Sequence, residues 1–172
     1  MSANDSIVAA ATPIGESAIA VIRVSGTLCS TLCKDALRVP YPTPRRSSLA
    51  GYRDINECLI DDVIFVFYEE QNSYTGEPSL EISSHGNPLI TKKIIEDLVA
   101  RGCRLAEPGE YTKRAFLSGR MDLTQAESVA TLIKASSERA LEVARIQLRG
   151  DLGKKISDLQ SRLLDLQANL EA

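Results

Sequence analysis

The sequence is poor in the residues that bind metals or form catalytic relays. It has one histidine, His85, and four cysteines, none of which forms a Cys-x-x-Cys pair. Because a zinc site needs several Cys or His ligands at suitable spacing, no metal site is predicted. No Ser/His/Asp or Cys/His relay can be assembled, so we predict no catalytic residue and interpret His85 as a hydrogen-bonded structural residue. The thiols are expected to be reduced, as in cytosolic proteins.

Long apolar runs and a strong excess of one charge are also missing. No apolar run approaches the roughly 20 residues that a membrane span requires. Residues 1–11 lack the basic and long apolar regions of a secretory signal peptide. We therefore expect a cytoplasmic protein with no membrane partner. The net charge of −3 does not favour nucleic-acid binding by this chain alone.

The phosphate-binding motif GxxxxGK[ST] is absent as well. Gly153 is followed by two lysines and preceded by Gly150, but the spacing differs from the motif and no predicted strand leads into it. We interpret this segment as a helix break that Gly150 and Gly153 bracket. A nucleotide is therefore not expected to bind here.

Strands and helices alternate in the first two thirds of the chain. Residue types and periodicity predict strands at 6–11, 18–24, 47–55, 62–68, 79–84 and around Leu105, and helices at 27–37 and 88–101. A Pro-Gly-containing turn joins the first two strands and favours an antiparallel pair. Asn87 followed by Pro88 predicts a helix start. This pattern indicates an α+β (mixed α/β) domain over residues 1–118.

Only helices are predicted from residue 119 onward. Thr124-x-x-Glu127 has the pattern of a capping box that opens a long helix. Further on, apolar residues recur in steps of three and four, as in the seam of a helix bundle. These residues are Leu152, Ile156, Leu159, Leu163, Leu166 and Leu170. Because no Gly, Pro or capping signal closes this apolar stripe, we expect residues 119–172 to be an incomplete helical domain, or the chain to oligomerise.

Two charged residues stand alone in apolar predicted strands, Arg23 and Glu81. A buried charge requires a partner, and a carboxylate on a rigid strand suits an amidine-like edge such as that of a pterin. The loop 72–76, with Tyr74, is placed to form a wall for a flat ligand. The alternatives are an edge strand with Arg23 facing water, a solvent-facing Glu81, and an ordinary surface loop.

The stretch 108–127 is dense in polar groups. Arg120 lies in a predicted turn just ahead of a helix, after a short helical turn whose buried side is predicted to be residues 115–117. A guanidinium held in such a turn suits a carboxylate or a planar heterocycle. Alternatively, Arg114, Arg120 and Asp122 form a structural ion-pair network.

Four stretches, in this order, resemble the MnmE (TrmE) family of tRNA-modification GTPases. They are SIVAAATPIGESAIAVIRVSG (6–26), NSYTGEPSLEISSHGNP (72–88), PGEYTKRAFLSGRMDLTQAE (108–127) and ASSERALEVARIQLRGDL (135–152). The resemblance covers nearly the whole chain and is weakest over 27–70. It implies an amino-terminal domain with the folate-binding fold of aminomethyltransferases, followed by the first helices of a central helical domain.

The resemblance also implies a function for particular residues. Arg23, Glu81 and Arg120 would bind 5-formyl- or 5,10-methylene-tetrahydrofolate, although the family more often has lysine at the last position. The full-length protein would form a homodimer through residues 1–118. It would work with the flavoprotein MnmG (GidA), and the complex would modify carbon 5 of the wobble uridine of tRNA. GTP, magnesium and potassium would bind only to a GTPase domain that this sequence lacks, so this chain alone is not expected to be catalytic.

Three other functions stay open from the sequence. The first is a folate enzyme of the aminomethyltransferase type, which would require a catalytic acid near the folate. The second is a structural dimerisation scaffold that binds no folate. The third is direct tRNA binding by this chain, which its acidic balance disfavours.

Overall fold

A computed structural model of the chain describes residues 5–171, which divide into two compact units. We call the part up to Tyr111 the sheet unit and the part from Thr112 the helical unit. The division falls inside a helix, Glu110–Leu117. The arrangement confirms a mixed α/β region followed by helices.

A six-stranded sheet forms the framework of the sheet unit. Its strands are β1 (Ile7–Ala10), β2 (Ser17–Ser25), β3 (Ser48–Arg53), β4 (Leu59–Tyr68), β5 (Ser79–Gly86) and β6 (Arg104–Leu105), in the order β3-β4-β5-β2-β1-β6. All neighbours are antiparallel except β1 and β6, which are parallel. Each predicted strand is present, and the predicted ends differ by a few residues, as is usual where elements fray. The predicted antiparallel pairing of the first two strands is confirmed.

The hydrophobic core lies on one face of this sheet. Helices α1 (Cys29–Asp35) and α2 (Pro88–Ala100) pack there against alternate strand residues, including Ile22 on β2, Phe65 on β4 and Ile82 on β5. Successive strand side chains point to opposite faces, so residues between these belong to the other face. That open face carries Arg23 and Glu81.

Helix α2 begins as the sequence predicts and is tied to the sheet by a buried carboxylate. The Asn87 side chain accepts a hydrogen bond from the Leu89 N–H, and Pro88 occupies the first turn. Asp97, which is 7% exposed, accepts hydrogen bonds from the Tyr52 hydroxyl at 2.8 Å and from Arg101 Nε at 2.7 Å. The Asp97 carboxylate therefore joins α2 to β3.

The helical region consists of α3 (Glu110–Leu117), α4 (Leu123–Lys134), α5 (Glu138–Leu148) and α6 (Asp151–Glu171). The predicted capping box at Thr124 and Glu127 is wrong, because Asp122 caps α4 together with Gln125. Asp122 Oδ1 accepts from the Gln125 N–H, and Gln125 Oε1 accepts from the Asp122 N–H. Both motifs fit the sequence, but only the one that starts at Asp122 matches the turn that the chain makes.

Gly150 ends α5, with a φ of +77° that favours glycine. Gly153 lies inside α6, so the predicted break is confirmed at Gly150 and is wrong at Gly153. A second break, which the sequence analysis did not predict, separates α4 from α5, where Ser137 caps the next helix. Gln125 Nε2 donates to the Leu148 carbonyl at 2.9 Å and joins the start of α4 to the end of α5.

Exposed apolar side chains line α3 and α6. Ala115 is buried as predicted, but the prediction is wrong for Phe116 and Leu117, which are 38% and 69% exposed. On α6, the apolar stripe is exposed at Ile156, Leu159, Leu163 and Leu166. The side chains of its two end members, Leu152 and Leu170, lie outside the described part of the chain. No helix among residues 5–171 is long and apolar enough to cross a membrane.

Candidate functional site

Arg23 and Glu81 are brought together on the open face of the sheet. They lie opposite each other on β2 and β5, two central strands, so the edge-strand alternative for Arg23 is wrong. Arg23 Nε and Nη2 both donate to Glu81 Oε1, at 2.9 and 2.5 Å. The two side chains remain 32% and 27% exposed, so the pair is half-buried and accessible to a ligand.

Two tyrosine rings flank the guanidinium. Arg23 Cζ lies 5.9 Å from the centroid of Tyr74 and 5.9 Å from that of Tyr111, within cation–π range. The Tyr111 hydroxyl donates to the Arg23 carbonyl at 2.6 Å. Burial raises the pKa of the Tyr111 phenol, so this donor stays protonated. The two rings and the Tyr111 hydroxyl thus help to fix the position of Arg23.

Glu81 keeps capacity for further hydrogen bonds. The Tyr68 hydroxyl donates to Glu81 Oε2 at 3.4 Å, a long contact, while Oε1 accepts from Arg23. Burial and the Glu81 charge raise the pKa of Tyr68, so it too remains a donor. A carboxylate has about four acceptor sites on its two oxygens. Glu81 Oε2 can therefore accept a stronger donor from a ligand.

The loop 72–76 is held against the sheet rather than free on the surface. Ser73 and Thr75 are 4% and 1% exposed. The hydroxyls of Ser25 and Thr75 lie 2.7 Å apart, and the Ser25 hydroxyl also donates to Glu77 Oε2 at 3.0 Å. These bonds place Tyr74 beside Arg23, which supports the prediction of a wall over the ordinary-loop alternative.

Two cavities meet at Arg23. The smaller, of about 180 Å³, is lined by Arg23, Tyr68, Asn72, Tyr74, Thr75, Ser79 and Glu81. The larger, of about 350 Å³, is lined by Ala9, Ala10, Ala11, Arg23, Ala106, Glu107, Pro108, Gly109 and Tyr111. The larger volume falls within the range of small-molecule sites. The small side chains of β1 leave room for a ligand in this cavity, and Arg23 contributes a positive charge to its lining.

Comparison with known proteins identifies the family. Residues 6–120 match the family model described as the GTP-binding protein TrmE N-terminus, and residues 123–172 match the MnmE helical domain. The chain belongs to the MnmE (TrmE) family. The predicted domain boundary, between 118 and 119, lies between the structural division after Tyr111 and the junction of the two family models.

Relatives named tRNA modification GTPase MnmE align over almost the entire chain. Those of Opitutus terrae and Aquifex aeolicus are each 48% identical to it, over 169 and 171 residues. Both alignments cover 98% of this chain, but only 37% and 38% of the relatives. The relative of Nitrosomonas europaea is 41% identical over 172 residues, 38% of its length. This MnmE-family chain therefore spans less than two fifths of these relatives.

The third residue predicted for the MnmE folate site lies in the helical unit. Arg120 is exposed in the turn between α3 and α4, and its N–H donates to the Ala115 carbonyl at 2.9 Å. This confirms the turn ahead of a helix. The role of Arg120 toward a ligand stays a prediction.

His85 is hydrogen-bonded, as the sequence analysis predicts. Its backbone N–H donates to Asp61 Oδ2 at 2.8 Å, and its ring Nδ1 lies 2.8 Å from Asp61 Oδ1. Asp61 thereby joins β4 to the end of β5. Among residues 5–171 no cluster of three or more metal-binding side chains is present.

Sequence reasoning missed Tyr68, Tyr111 and the residues that position Tyr111. Glu110, which is 1% exposed, accepts from Arg104 Nη2 at 2.6 Å and from the Glu107 N–H at 2.7 Å. These bonds fix the first turn of α3 and thereby position Tyr111 beside Arg23. Hydrogen bonds to Glu110 and Asp5 raise the pKa of Arg104, so its charge is permanent. The alternation of buried residues along β4 indicates on which face of the sheet Tyr68 lies. It does not indicate which residue of β5 is its neighbour.

A third, shallow cavity of about 510 Å³ lies in the helical unit. Its lining consists of Asp122, Gln125, Arg149, Gly150, Gly153, Asp158 and Ser161. Asp122 and Gln125 are already used in the capping box. Its lining lacks the aromatic rings that flank Arg23, so we place the candidate ligand site in the sheet unit.

Proposed function

We propose that this chain binds a tetrahydrofolate derivative on the open face of its sheet, as part of a tRNA-modification GTPase. The observation that carries the proposal is the Arg23–Glu81 pair, half-buried between the rings of Tyr74 and Tyr111. This arrangement offers a carboxylate, a cation and aromatic surfaces to one ligand. The relatives' name, tRNA modification GTPase, supports the wider assignment.

Glu81 supplies the recognition of the ring. The 2-amino group and N3–H of a reduced pterin form an amidine-like edge with two parallel donors, which complement a carboxylate. Among residues 5–171, the bond that Glu81 Oε2 accepts is the long one from Tyr68, so one ligand donor would bind there without displacing Arg23. The second donor would take the place of one of the two Arg23 bonds to Oε1. Bound folate would supply the one-carbon unit, while Glu81 orients its ring.

Arg23 has a positioning role in this proposal. Its guanidinium is held by Glu81 and by the two rings, so little rotamer freedom remains to be lost on binding. The remaining donors of the guanidinium are available for ligand oxygens. Arg120 stays a predicted third contact, which the substitution Arg120→Ala tests in the same titration.

The wider activity is proposed from the family. The whole protein would bind GTP with magnesium and potassium outside this chain, act with the flavoprotein MnmG, and modify the wobble uridine of tRNA at carbon 5. We place the protein in the cytoplasm. This chain would contribute the folate site and the homodimer contact, with no catalytic residue of its own.

Exposed apolar side chains support the homodimer contact. Leu49 on β3 lies opposite Ile64 on β4, and they are 75% and 48% exposed on the open face. Contiguous exposed apolar residues mark interaction surfaces. Light scattering after gel filtration tests this point. We expect a dimer, and we expect Ile64→Lys to shift the chain toward monomer.

The test of folate binding is calorimetric titration with 5-formyltetrahydrofolate. We expect Arg23→Ala and Glu81→Gln each to weaken binding by about 1–3 kcal/mol, the usual effect of leaving a charged hydrogen-bond partner unmatched. Glu57→Gln is the matched control. Glu57 lies in the exposed turn between β3 and β4 and forms an ion pair with Arg38, away from the candidate site. Its binding should equal that of the unmodified chain.

Two outcomes would overturn the proposal. Saturable binding that neither substitution weakens would place the folate elsewhere. No binding by a folded dimer would favour the structural scaffold. If the unmodified chain is monomeric, the same titration is run on the full-length protein. Absence of binding there would likewise favour the structural scaffold.

A further inference from the structure

A second arginine lies close to Tyr68, one of the residues that line the smaller cavity. Arg45 belongs to the loop between α1 and β3, and its N–H donates to the Phe67 carbonyl at 2.8 Å. On β3, Ser48 lies opposite Phe65. The strand itself begins only at Ser48, so the bond to Phe67 places the Arg45 backbone beside the residue that precedes Tyr68 at the end of β4. Arg45 therefore adjoins the tyrosine that donates to Glu81.

The backbone of Arg45 is in an unfavourable conformation. Its φ is +59°, in the left-handed region where a side chain crowds the following carbonyl. Two backbone hydrogen bonds hold the loop in this conformation. The Arg45 N–H donates to the Phe67 carbonyl, and the Arg46 N–H donates to the Thr43 carbonyl at 3.4 Å. Strained residues that the surrounding structure maintains are concentrated at ligand-binding sites. Arg38 and Glu57 have the same backbone conformation, so what sets Arg45 apart is its position beside Tyr68.

The Arg45 guanidinium is also available for an ionic contact. It is exposed and makes no ion pair among residues 5–171, and the same holds for Arg46. Arg23, the other cation beside this cavity, is occupied by Glu81. Burial and the Glu81 charge raise the pKa of Tyr68, and the charges of Arg23 and Arg45 oppose that rise. The field of Arg45 therefore reaches the Tyr68 hydroxyl.

We propose that Arg45 binds a carboxylate of the ligand and makes the site select folates over pterins that lack a carboxylate tail. This inference rests on the proposed folate function. A folate has two recognisable ends: a neutral ring with an amidine-like edge, and a glutamate with two carboxylates. Glu81 suits the first, and the planar donors of an arginine suit the second. Arg45 is the cation at this cavity that is free for it within the described residues.

The experiment compares two ligands at low salt on three proteins, with Arg45→Lys as a rescue variant. The ligands are 5-formyltetrahydrofolate and 6-methyltetrahydropterin, which has the ring but no tail. The proteins are the unmodified chain, Arg45→Gln and the control Arg46→Gln, which removes a neighbouring exposed charge. We expect Arg45→Gln to weaken folate binding about fivefold, the upper range for an accessible ion pair, and to leave the pterin unchanged. Arg45→Lys should restore part of the loss.

The outcomes separate this inference from the proposed function. Equal losses for both ligands, no loss in Arg45→Gln, or equal losses in Arg45→Gln and Arg46→Gln would each overturn the role of Arg45. In all three cases folate binding by the unmodified chain would still stand. If a dimeric unmodified chain, or the full-length protein where the chain is monomeric, binds neither ligand, the folate site itself is refuted and the inference with it.

Discussion

Arg23 and Glu81 face each other across two central strands, with two arginine nitrogens donating to one carboxylate oxygen. Although β2 and β5 are central, the pair remains about one-third exposed, whereas the hydrophobic core lies on the other face of the sheet. Such a pair contributes little to stability, since water solvates either partner when the other is removed. A small contribution to folding is what the proposed role of this pair in ligand binding leads us to expect.

This explanation makes a prediction about stability. Arg23→Ala and Glu81→Ala should each change the free energy of unfolding by about 1 kcal/mol or less. Urea denaturation measures this change, and Arg38→Ala in the exposed Arg38–Glu57 pair is the control. A loss of about 3 kcal/mol or more would show that the pair is structural.

The Asp97 carboxylate should behave in the opposite way. It is buried and accepts bonds from Tyr52, from Arg101 and from the Ile55 N–H. Asp97→Ala leaves the Arg101 charge without its partner and should cost about 3–5 kcal/mol of unfolding free energy. Tyr52→Phe removes one bond only and should cost about 1 kcal/mol. Equal effects of the two substitutions in urea denaturation would refute this role of Asp97.

Buried thiols predict a loss of stability at alkaline pH. Burial raises the pKa of Cys33 to about 12 and that of Cys103 to about 11, from 9.0, and raises that of Cys29 further. Between pH 9 and 11 the folded chain keeps protons that the unfolded chain has lost. Unfolding free energy should therefore fall as pH rises, by up to about 1.4 kcal/mol per pH unit for each thiol.

Denaturation at pH 8, 9 and 10 checks this expectation, and Cys103→Ala should show a shallower decline. A thiol reagent at pH 8 gives an independent measurement. In the folded chain Cys58, which is exposed, should react first, and the three buried thiols should react only on unfolding. A flat stability profile up to pH 10 would contradict the raised pKa values.

Two substitutions distinguish the cap that the structure shows from the one that the sequence suggests. Asp122→Ala removes the capping box of α4 and should lower the free energy of unfolding by about 1 kcal/mol. Glu127→Ala, at an exposed position, should have almost no effect. Circular dichroism melts measure both. If Glu127→Ala costs as much as Asp122→Ala, the cap lies at Thr124.

The same cap should weaken in acid. Hydrogen bonds from the Gln125 N–H and the Thr124 hydroxyl lower the pKa of Asp122 below 3.8. Because the unfolded chain then binds the proton more tightly, the cap stabilises the fold above pH 3.8. Its contribution is lost as the pH falls further, so the difference between the unmodified chain and Asp122→Ala should shrink there.

Gly153 should be intolerant of alanine, against the usual trend. Replacing glycine in the middle of a helix by alanine normally stabilises by about 1 kcal/mol. Here an added Cβ would overlap the Asp122 carboxylate, which the capping box holds in place. Gly153→Ala should therefore destabilise in melts, but stabilise when combined with Asp122→Ala. Stabilisation by the single change would contradict this packing.

The sequence by itself determined the elements and the family. Alternating apolar residues specify which face of each strand is buried, because successive side chains point to opposite sides. Asn87 and Pro88 specify the start of α2, since capping and a fixed φ act within one turn. The four family stretches required no structure either. Local patterns contain this information because their interactions span only a few residues.

Only the tertiary structure decided which residues form the site. Strand order and register place Glu81 opposite Arg23 and bring Tyr68 beside it, and a loop hydrogen bond to Phe67 brings Arg45 close to Tyr68. Neither follows from periodicity, because alternation selects a face of a strand but not the neighbouring strand or its register. The cap of α4 shows the same limit at short range. Asp122 and Thr124 both begin acceptable boxes, and the turn before the helix selects Asp122.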